Sequence, residues 1–77
     1  MKSKIDIYVI DKVREMRIAH NMSQEELSIA AGFRSNGFVG QAESHNYKKR
    51  YNMQHINKFA RIFTCSPKDF LPDLPID

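Results

Sequence analysis

The chain has 77 residues, 42% of them hydrophobic, which suits a single domain with one small core. No apolar run approaches the roughly 20 residues that a membrane-spanning helix needs. The basic start of the chain lacks the small-residue cleavage site of a signal peptide. Cys65 is the only cysteine and has no partner for an internal disulfide, which fits a reducing compartment. We therefore expect a cytoplasmic protein without a membrane partner.

The net charge of +3 is unevenly distributed along the sequence. Segment 44–68 contains six basic residues and no aspartate or glutamate, so the rest of the chain is net negative. Such asymmetry indicates a polyanionic partner, although a solvated basic loop explains this run about equally well. The basic residues are Lys48, Lys49, Arg50, Lys58, Arg61 and Lys68.

The N-terminal residues are ambiguous. Residues 4–10 alternate in polarity like a strand, yet the same residues would also extend a following helix upstream. We favour an extended arm or an added helical turn. A first helix is predicted over about 10–20, with Val13 on its inward face, and Asn21 is expected to end it.

The stretch 23–43 reads as two short helices joined by a tight turn. Ser23 is a suitable cap for the first helix, Glu26 is spaced to reach back to it, and Gly32 is placed to end the helix. Ser35 offers a cap for the second helix. A helix, a glycine-containing turn and a second helix form the pattern typical of DNA-reading helix-turn-helix units.

Two more helical segments are predicted towards the C-terminus. Asn52 is a good cap for a helix that runs to about Phe63. The apolar stripe of that helix is Met53, Ile56, Phe59, Ala60 and Phe63. Ser66 and Pro67 then open a segment of one or two turns that Pro72 should stop.

The predicted organisation is one all-α domain of five helices over residues 1–77. Its packed core spans about 9–71. An N-terminal arm at 1–8 precedes the core and a coil at 72–77 follows it. No repeat, low-complexity run or interdomain linker divides the sequence.

In order and spacing these elements resemble the Cro and phage-repressor (XRE-like) helix-turn-helix family, whose members are compact, lambda-repressor-like DNA-binding domains with five helices. The resemblance covers about 9–71. It rests on Arg17, Ser23-Gln24-Glu25-Glu26-Leu27, Gly32, Val39-Gly40-Gln41-Ala42-Glu43, Phe59-Ala60 and Ser66-Pro67-Lys68-Asp69-Phe70-Leu71. The sequence departs from the family pattern at two places. The interval from Leu27 to Glu43 is one residue longer than usual, and Ser44-His45 replaces the usual Asn-Gly.

The resemblance implies which side chains would contact DNA. A recognition helix presents its first turn to base edges, and Asn or Gln amides pair with adenine. The candidate base contacts are Asn36, Gly37, Phe38 and Gln41, and for Phe38 the alternative is packing at the edge of the core. The candidate phosphate contacts are Gln24, Arg34, Ser35, Lys48, Lys49 and Arg50.

The resemblance also implies a structural ion pair between Arg17 and Glu43 beneath the recognition helix. The alternative is two exposed charges that contribute little. The histidines and Cys65 lack the spacing of a metal site. No nucleophile and base are grouped in a supporting motif, so we expect neither a metal, a cofactor nor an enzyme.

The sequence thus predicts a small transcriptional regulator, in our interpretation a repressor, that binds a specific double-stranded DNA site as a homodimer. Candidate dimer surfaces are the segment 5–10 and the C-terminal apolar residues Phe70, Leu71, Leu74 and Ile76. Two alternatives remain open. One is the antitoxin of a toxin–antitoxin pair, with an added surface for a protein partner. The other is a protein-interaction module that kept the fold and lost DNA binding.

Overall fold

The computed structural model describes residues 2–77 and contains four α-helices and one short 3₁₀ helix. The α-helices are α1 (Lys4–Ala19), α2 (Gln24–Ala30), α3 (Phe38–Glu43) and α4 (Met53–Phe63), and the 3₁₀ helix is Pro67–Phe70. Within 2–77 there is no strand, which confirms the all-α prediction. None of the helices in this range is long and apolar enough to cross a membrane.

The fifth predicted helix is a single 3₁₀ turn, so the prediction of five α-helices is wrong by one. Ser66 caps this turn and Pro67 occupies its first position, as predicted. Leu71 then adopts an extended conformation with φ −109° and ψ 147°. Because Pro72 follows it, Leu71 is disfavoured in the helical region, and the turn stops after four residues.

Of the two predictions for the N-terminal residues, the structure supports the helical extension and not the extended arm over 1–8, because α1 already begins at Lys4. Ser3 starts the helix with a capping box. Its hydroxyl accepts a hydrogen bond from the Asp6 amide at 3.2 Å, and its own amide donates to the Asp6 carboxylate at 3.0 Å. This start signal overrides the strand-like alternation. Met1, which belonged to the predicted arm, lies outside the described residues.

Left-handed residues end α1 and α2 where the sequence predicted. Asn21 has φ 55° and Gly32 has φ +74°. After α2, the Gly32 amide donates to the Ile29 carbonyl and the Phe33 amide donates to the Ser28 carbonyl, both at 3.0 Å. This pair of bonds closes the helix and sends the chain directly into the turn towards α3.

The second helix of the pair begins at Phe38, later than the predicted Ser35 cap allows. Gly37 is the residue before α3, and no side chain caps the helix there. The Ser35 hydroxyl instead accepts the Gly37 amide at 3.1 Å within the turn. In this longer turn the Ser35 hydroxyl bonds within the turn and does not cap α3. Asn36 and Gly37 therefore lie before the helix and not in its first turn.

One core lies between the helices. The fully buried apolar residues are Val13, Leu27, Val39, Ala42, Phe59 and Phe70. Phe70 is therefore a core residue and does not belong to an exposed dimer surface, contrary to its assignment from the sequence. Met53 is 67% exposed although it was placed in the inward stripe, because it is the first residue of α4 and lies before the buried part of that helix.

Candidate nucleic-acid interface

The carboxylate of Glu43, the last residue of α3, is the centre of a polar network. Arg17 donates from Nε and from Nη2 to the two carboxylate oxygens, each at 2.9 Å. The exposed fractions of the two side chains are only 10% for Arg17 and 4% for Glu43. Arg17 also donates from Nη1 to the Met22 carbonyl at 2.8 Å. One guanidinium thus links α1, the entry to α2 and the end of α3.

Gln24 extends this network across the face of α3. Its Nε2 donates to Glu43 Oε1 at 2.9 Å. Its Oε1 lies so close to Gly40 that a Cβ atom added there would be 3.0 Å away. Gly40 was not selected as functional from the sequence, although a glycine within a six-residue helix is a signal of close approach.

The buried Ser28 joins α2 to the start of α3. Its hydroxyl donates to the Gln24 carbonyl at 2.9 Å and accepts the Val39 amide at 3.1 Å. One of the first amides of α3 therefore has a partner although the helix lacks a side-chain cap. The sequence reasoning missed Ser28, whose only signal was a hydroxyl on the apolar side of α2.

Phe38 is half-buried and belongs to an aromatic cluster. Its ring stacks on Phe33 with a centroid distance of 4.0 Å and an interplanar angle of 14°. On the α4 side, His55 meets the Phe38 ring edge-on with a centroid distance of 5.4 Å, and Tyr51 lies nearly parallel to Phe38 at 6.3 Å. Phe38 thus packs at the edge of the core, the alternative to a base contact, and only part of its ring remains accessible to a ligand.

His55 supports the cluster from α4. Its Nδ1 accepts the Asn52 amide at 3.1 Å, while the Asn52 side chain accepts the His55 amide at 2.8 Å. Burial, with a contribution from the charge of Lys58, lowers the pKa of His55. The neutral ring is therefore the form that caps α4. No group of three or more potential metal ligands occurs within residues 2–77.

The basic loop, residues 44–50, lies against two different helices. Lys48 and Lys49 are exposed, and the Lys49 ammonium lies 5.2 Å from the Phe38 ring centroid, at the start of α3. Arg50 instead lies 3.2 Å from the Asp6 carboxylate of α1. Burial opposes ionisation of Asp6, but the hydrogen bonds from Ser3 and the pairing with Arg50 outweigh it and lower the pKa of Asp6.

Comparison with known proteins identifies the family to which this geometry belongs. The model of the Cro/C1-type HTH DNA-binding domain matches residues 12–74. The chain belongs to this family. Its helix-turn-helix pair is formed by α2 and α3. No curated protein matches the chain.

A solved structure shares this Cro/C1-type fold. It is the crystal structure of the restriction-modification controller protein C.AhdI from Aeromonas hydrophila, which superposes with a TM-score of 0.70 at 25% sequence identity. The match covers 84% of this chain and 94% of the controller.

The residues selected from the sequence fall into three places on the Cro/C1-type domain. Arg34, Ser35, Asn36 and Gly37 are exposed in the turn before α3. Gln41 and Gln24 lie on the α2–α3 pair, and Lys48 and Lys49 lie on the basic loop. Arg50 is separated from these two lysines by its contact with Asp6.

Proposed function

We propose that this Cro/C1-type domain binds a specific double-stranded DNA site with α3 in the major groove and acts as a transcriptional repressor. The observation that carries this proposal is the convergence of two side chains with phosphate-binding chemistry on α3. Gln24 lies over Gly40, and Lys49 lies against Phe38. They come from the elements before and after α3, so both borders of the helix carry a group able to contact a DNA backbone.

Base recognition is assigned to the turn and to one residue of α3. Val39 and Ala42 are buried and Glu43 is paired with Arg17, so Gln41 is the polar side chain of α3 that remains for a base edge. A glutamine pairs bidentately with adenine, which contributes roughly 1–3 kcal/mol of discrimination. Asn36 and Gly37, exposed just before the helix, complete the proposed base contacts.

Phosphate contacts are proposed for Gln24, Arg34, Ser35, Lys48 and Lys49. These residues supply affinity by charge and hydrogen bonding and carry no sequence choice. Arg50 would have to break its ion pair with Asp6 before it could reach a phosphate. In the free protein we therefore assign it to holding the loop against α1.

We propose that the protein binds DNA as a homodimer. Its longest dimension is 32 Å, close to the roughly 34 Å that separates half-sites one helical turn apart. Two surfaces that the sequence offered separately are neighbours, because Ile5 and Leu71 line one cleft together with Met53. Substitution Met53→Glu is expected to shift the sedimentation coefficient to that of a monomer. An unchanged dimer would place the interface elsewhere.

The similarity to the controller supports a regulator of this size. The match covers 94% of the controller chain in that structure, so nearly all of that chain corresponds to this domain. We infer that a single Cro/C1-type domain is sufficient for a regulator's binding function.

The proposal is tested by selecting sites from a random DNA library with the purified protein. The expected result is an enriched, two-fold-symmetric site whose affinity falls steeply with salt. Gln41→Ala should lose discrimination at one base position, while Gln54→Ala, an exposed glutamine on α4, serves as the matched control. Absence of any enrichment would reject DNA recognition and favour a protein-interaction module.

The repressor role has its own test. The enriched site is placed across a promoter that drives a reporter. Expression should fall when the protein is present and recover with Gln41→Ala. Increased expression would reject repression while leaving specific DNA binding in place.

A further inference from the structure

Residues in and just before the first turn of α1 contact the end of α3 and the loop that follows it. Lys2 and Asp6 are separated by about 40 positions from the residues they touch, which lie at the end of α3 and in the basic loop. Both lie outside residues 12–74, the part that matches the Cro/C1-type family. Each contact therefore joins a residue outside the matched part to one inside it.

Lys2 caps the C-terminal end of α3 from a distance. Its Nζ donates to the Ala42 carbonyl at 2.5 Å and to the Ser44 carbonyl at 2.8 Å. The last carbonyls of a helix lack intrahelical partners, and a cation there is favoured by the helix dipole. Since α3 has no basic residue in its own last turn, Lys2 supplies this charge.

Asp6 holds the other end of the basic loop. Its carboxylate accepts hydrogen bonds from the Ser3 amide and hydroxyl at 3.0 and 2.8 Å, and Arg50 donates to the same oxygen at 3.2 Å. The cap that starts α1 is therefore also the anchor for the last residue of the loop. Lys2 at one end and Asp6 at the other connect α1 to both ends of 44–50.

We propose that residues 2–6 form a brace that holds the end of α3 and the basic loop in their DNA-binding arrangement, with Lys2 as a positioning residue. This inference rests on the proposed function for its effect on DNA affinity. The brace orders the loop before DNA arrives, so less conformational freedom is lost when Lys48 and Lys49 meet phosphates. Two of the three protons of the Lys2 ammonium are donated to carbonyls, so in this proposal Lys2 raises DNA affinity through α3 and the loop.

The test compares Lys2→Met, Lys2→Arg and Lys48→Met for binding to the selected DNA site over a range of salt concentrations. Lys2→Met is expected to bind roughly three- to tenfold more weakly with an unchanged salt dependence. Lys48→Met should reduce the slope of log affinity against log salt by about 1, because it removes a phosphate contact. Lys2→Arg keeps the cation and its donors and should restore most of the affinity.

A second measurement needs no DNA. Amide hydrogen exchange in Lys2→Met should accelerate at the end of α3 and over 44–50, and it should remain unchanged in α4, which reports intact folding. Unchanged exchange in the loop would reject the brace. A reduced salt slope in Lys2→Met would also reject it, because Lys2 would then be a direct phosphate contact.

The two proposals fail in different ways. If the unmodified protein selects no DNA site, the proposed function is wrong, and hydrogen exchange still decides whether the brace exists. If the protein binds its site and Lys2→Met binds equally well with unaltered loop exchange, only the brace is wrong.

Discussion

Arg17 and Glu43, 26 positions apart in the sequence, form a two-pronged ion pair that joins the last turn of α1 to the last residue of α3. The carboxylate is 4% exposed and accepts a further hydrogen bond from Gln24. A buried charge of this kind depends on its partners, because the protein interior does not solvate it when they are removed. The orientation of α3 is thereby coupled to the stability of the whole domain.

The first prediction concerns Arg17, whose truncation leaves the Glu43 carboxylate without its main partner. Arg17→Ala is expected to lower the free energy of unfolding by about 3–5 kcal/mol, the usual cost of breaking a buried pair. Urea unfolding followed by circular dichroism measures this loss.

Arg14 provides the matched control for Arg17. It also approaches the Glu43 carboxylate, at 3.7 Å, but its side chain is 56% exposed. Arg14→Ala should therefore cost less than about 1 kcal/mol. Equal losses for the two arginines would contradict the view that burial decides the strength of this network.

The second prediction concerns Gly40. An added Cβ would lie 3.0 Å from Gln24 Oε1, so Gly40→Ala must displace the end of that flexible side chain. The helix gains roughly 0.5–1 kcal/mol from replacing glycine, which offsets a weakening of the Gln24–Glu43 hydrogen bond, so the free energy of unfolding should change by less than about 1 kcal/mol. DNA affinity should fall because Gln24 is moved.

A double-mutant cycle tests this explanation of Gly40. Gly40→Ala and Gln24→Ala should weaken DNA binding by similar amounts, and the double variant should be no weaker than either single variant. Additive losses would show that the methyl group acts on DNA directly and not through Gln24.

The third prediction concerns the hydroxyl of Tyr51, which is buried and has no hydrogen-bond partner among the described residues. Burial, reinforced by Glu43 and opposed by Arg17, raises the pKa of Tyr51. Because an unsatisfied buried group costs about 1–3 kcal/mol, Tyr51→Phe should increase the free energy of unfolding by about 1 kcal/mol. Tyr47→Phe, at a half-exposed site, should have no effect. Clear destabilisation by Tyr51→Phe would mean that the hydroxyl has a partner in solution.

The fourth prediction is a pH dependence that arises from His55. Its pKa in the folded protein lies below the ordinary value of 6.5, so the unfolded chain binds the proton more readily. The stabilisation is complete above about pH 6.5 and is lost as the pH falls through the lower pKa of the folded protein. Thermal unfolding measured from pH 7.5 to 5 should show a falling melting temperature.

Two variants assign the pH effect to His55. His55→Gln removes the titrating ring and should flatten this part of the profile. Lys58→Gln removes the nearby positive charge that contributes to the shift and should weaken the pH dependence without abolishing it. A slope that persists in His55→Gln would assign the effect to another group.

The helix starts and stops of this chain were largely predictable because their causes are local. Ser23, Asn52 and Ser66 cap helices as predicted, Ser23 with the Glu26 partner expected from its spacing, and Asn21 and Gly32 end helices with positive φ. These signals act within about four residues, which is the range that a sequence pattern reports. The start of α1 was left undecided between an extended arm and an added helical turn, because the apolar residues after Ser3 alternate like a strand, although Ser3 and Asp6 form the same kind of box.

The sequence by itself determined the all-α fold, most helix boundaries and the helix-turn-helix pattern, since capping and apolar periodicity are local properties. Only the tertiary structure decided that Phe38 packs on Phe33, that Gln24 covers Gly40, and that Lys2 and Asp6 reach the end of α3 and its loop. These contacts join residues from different helices or from across a turn. Their geometry follows from how the helices pack around Val13, Leu27 and Phe59, which no local pattern specifies.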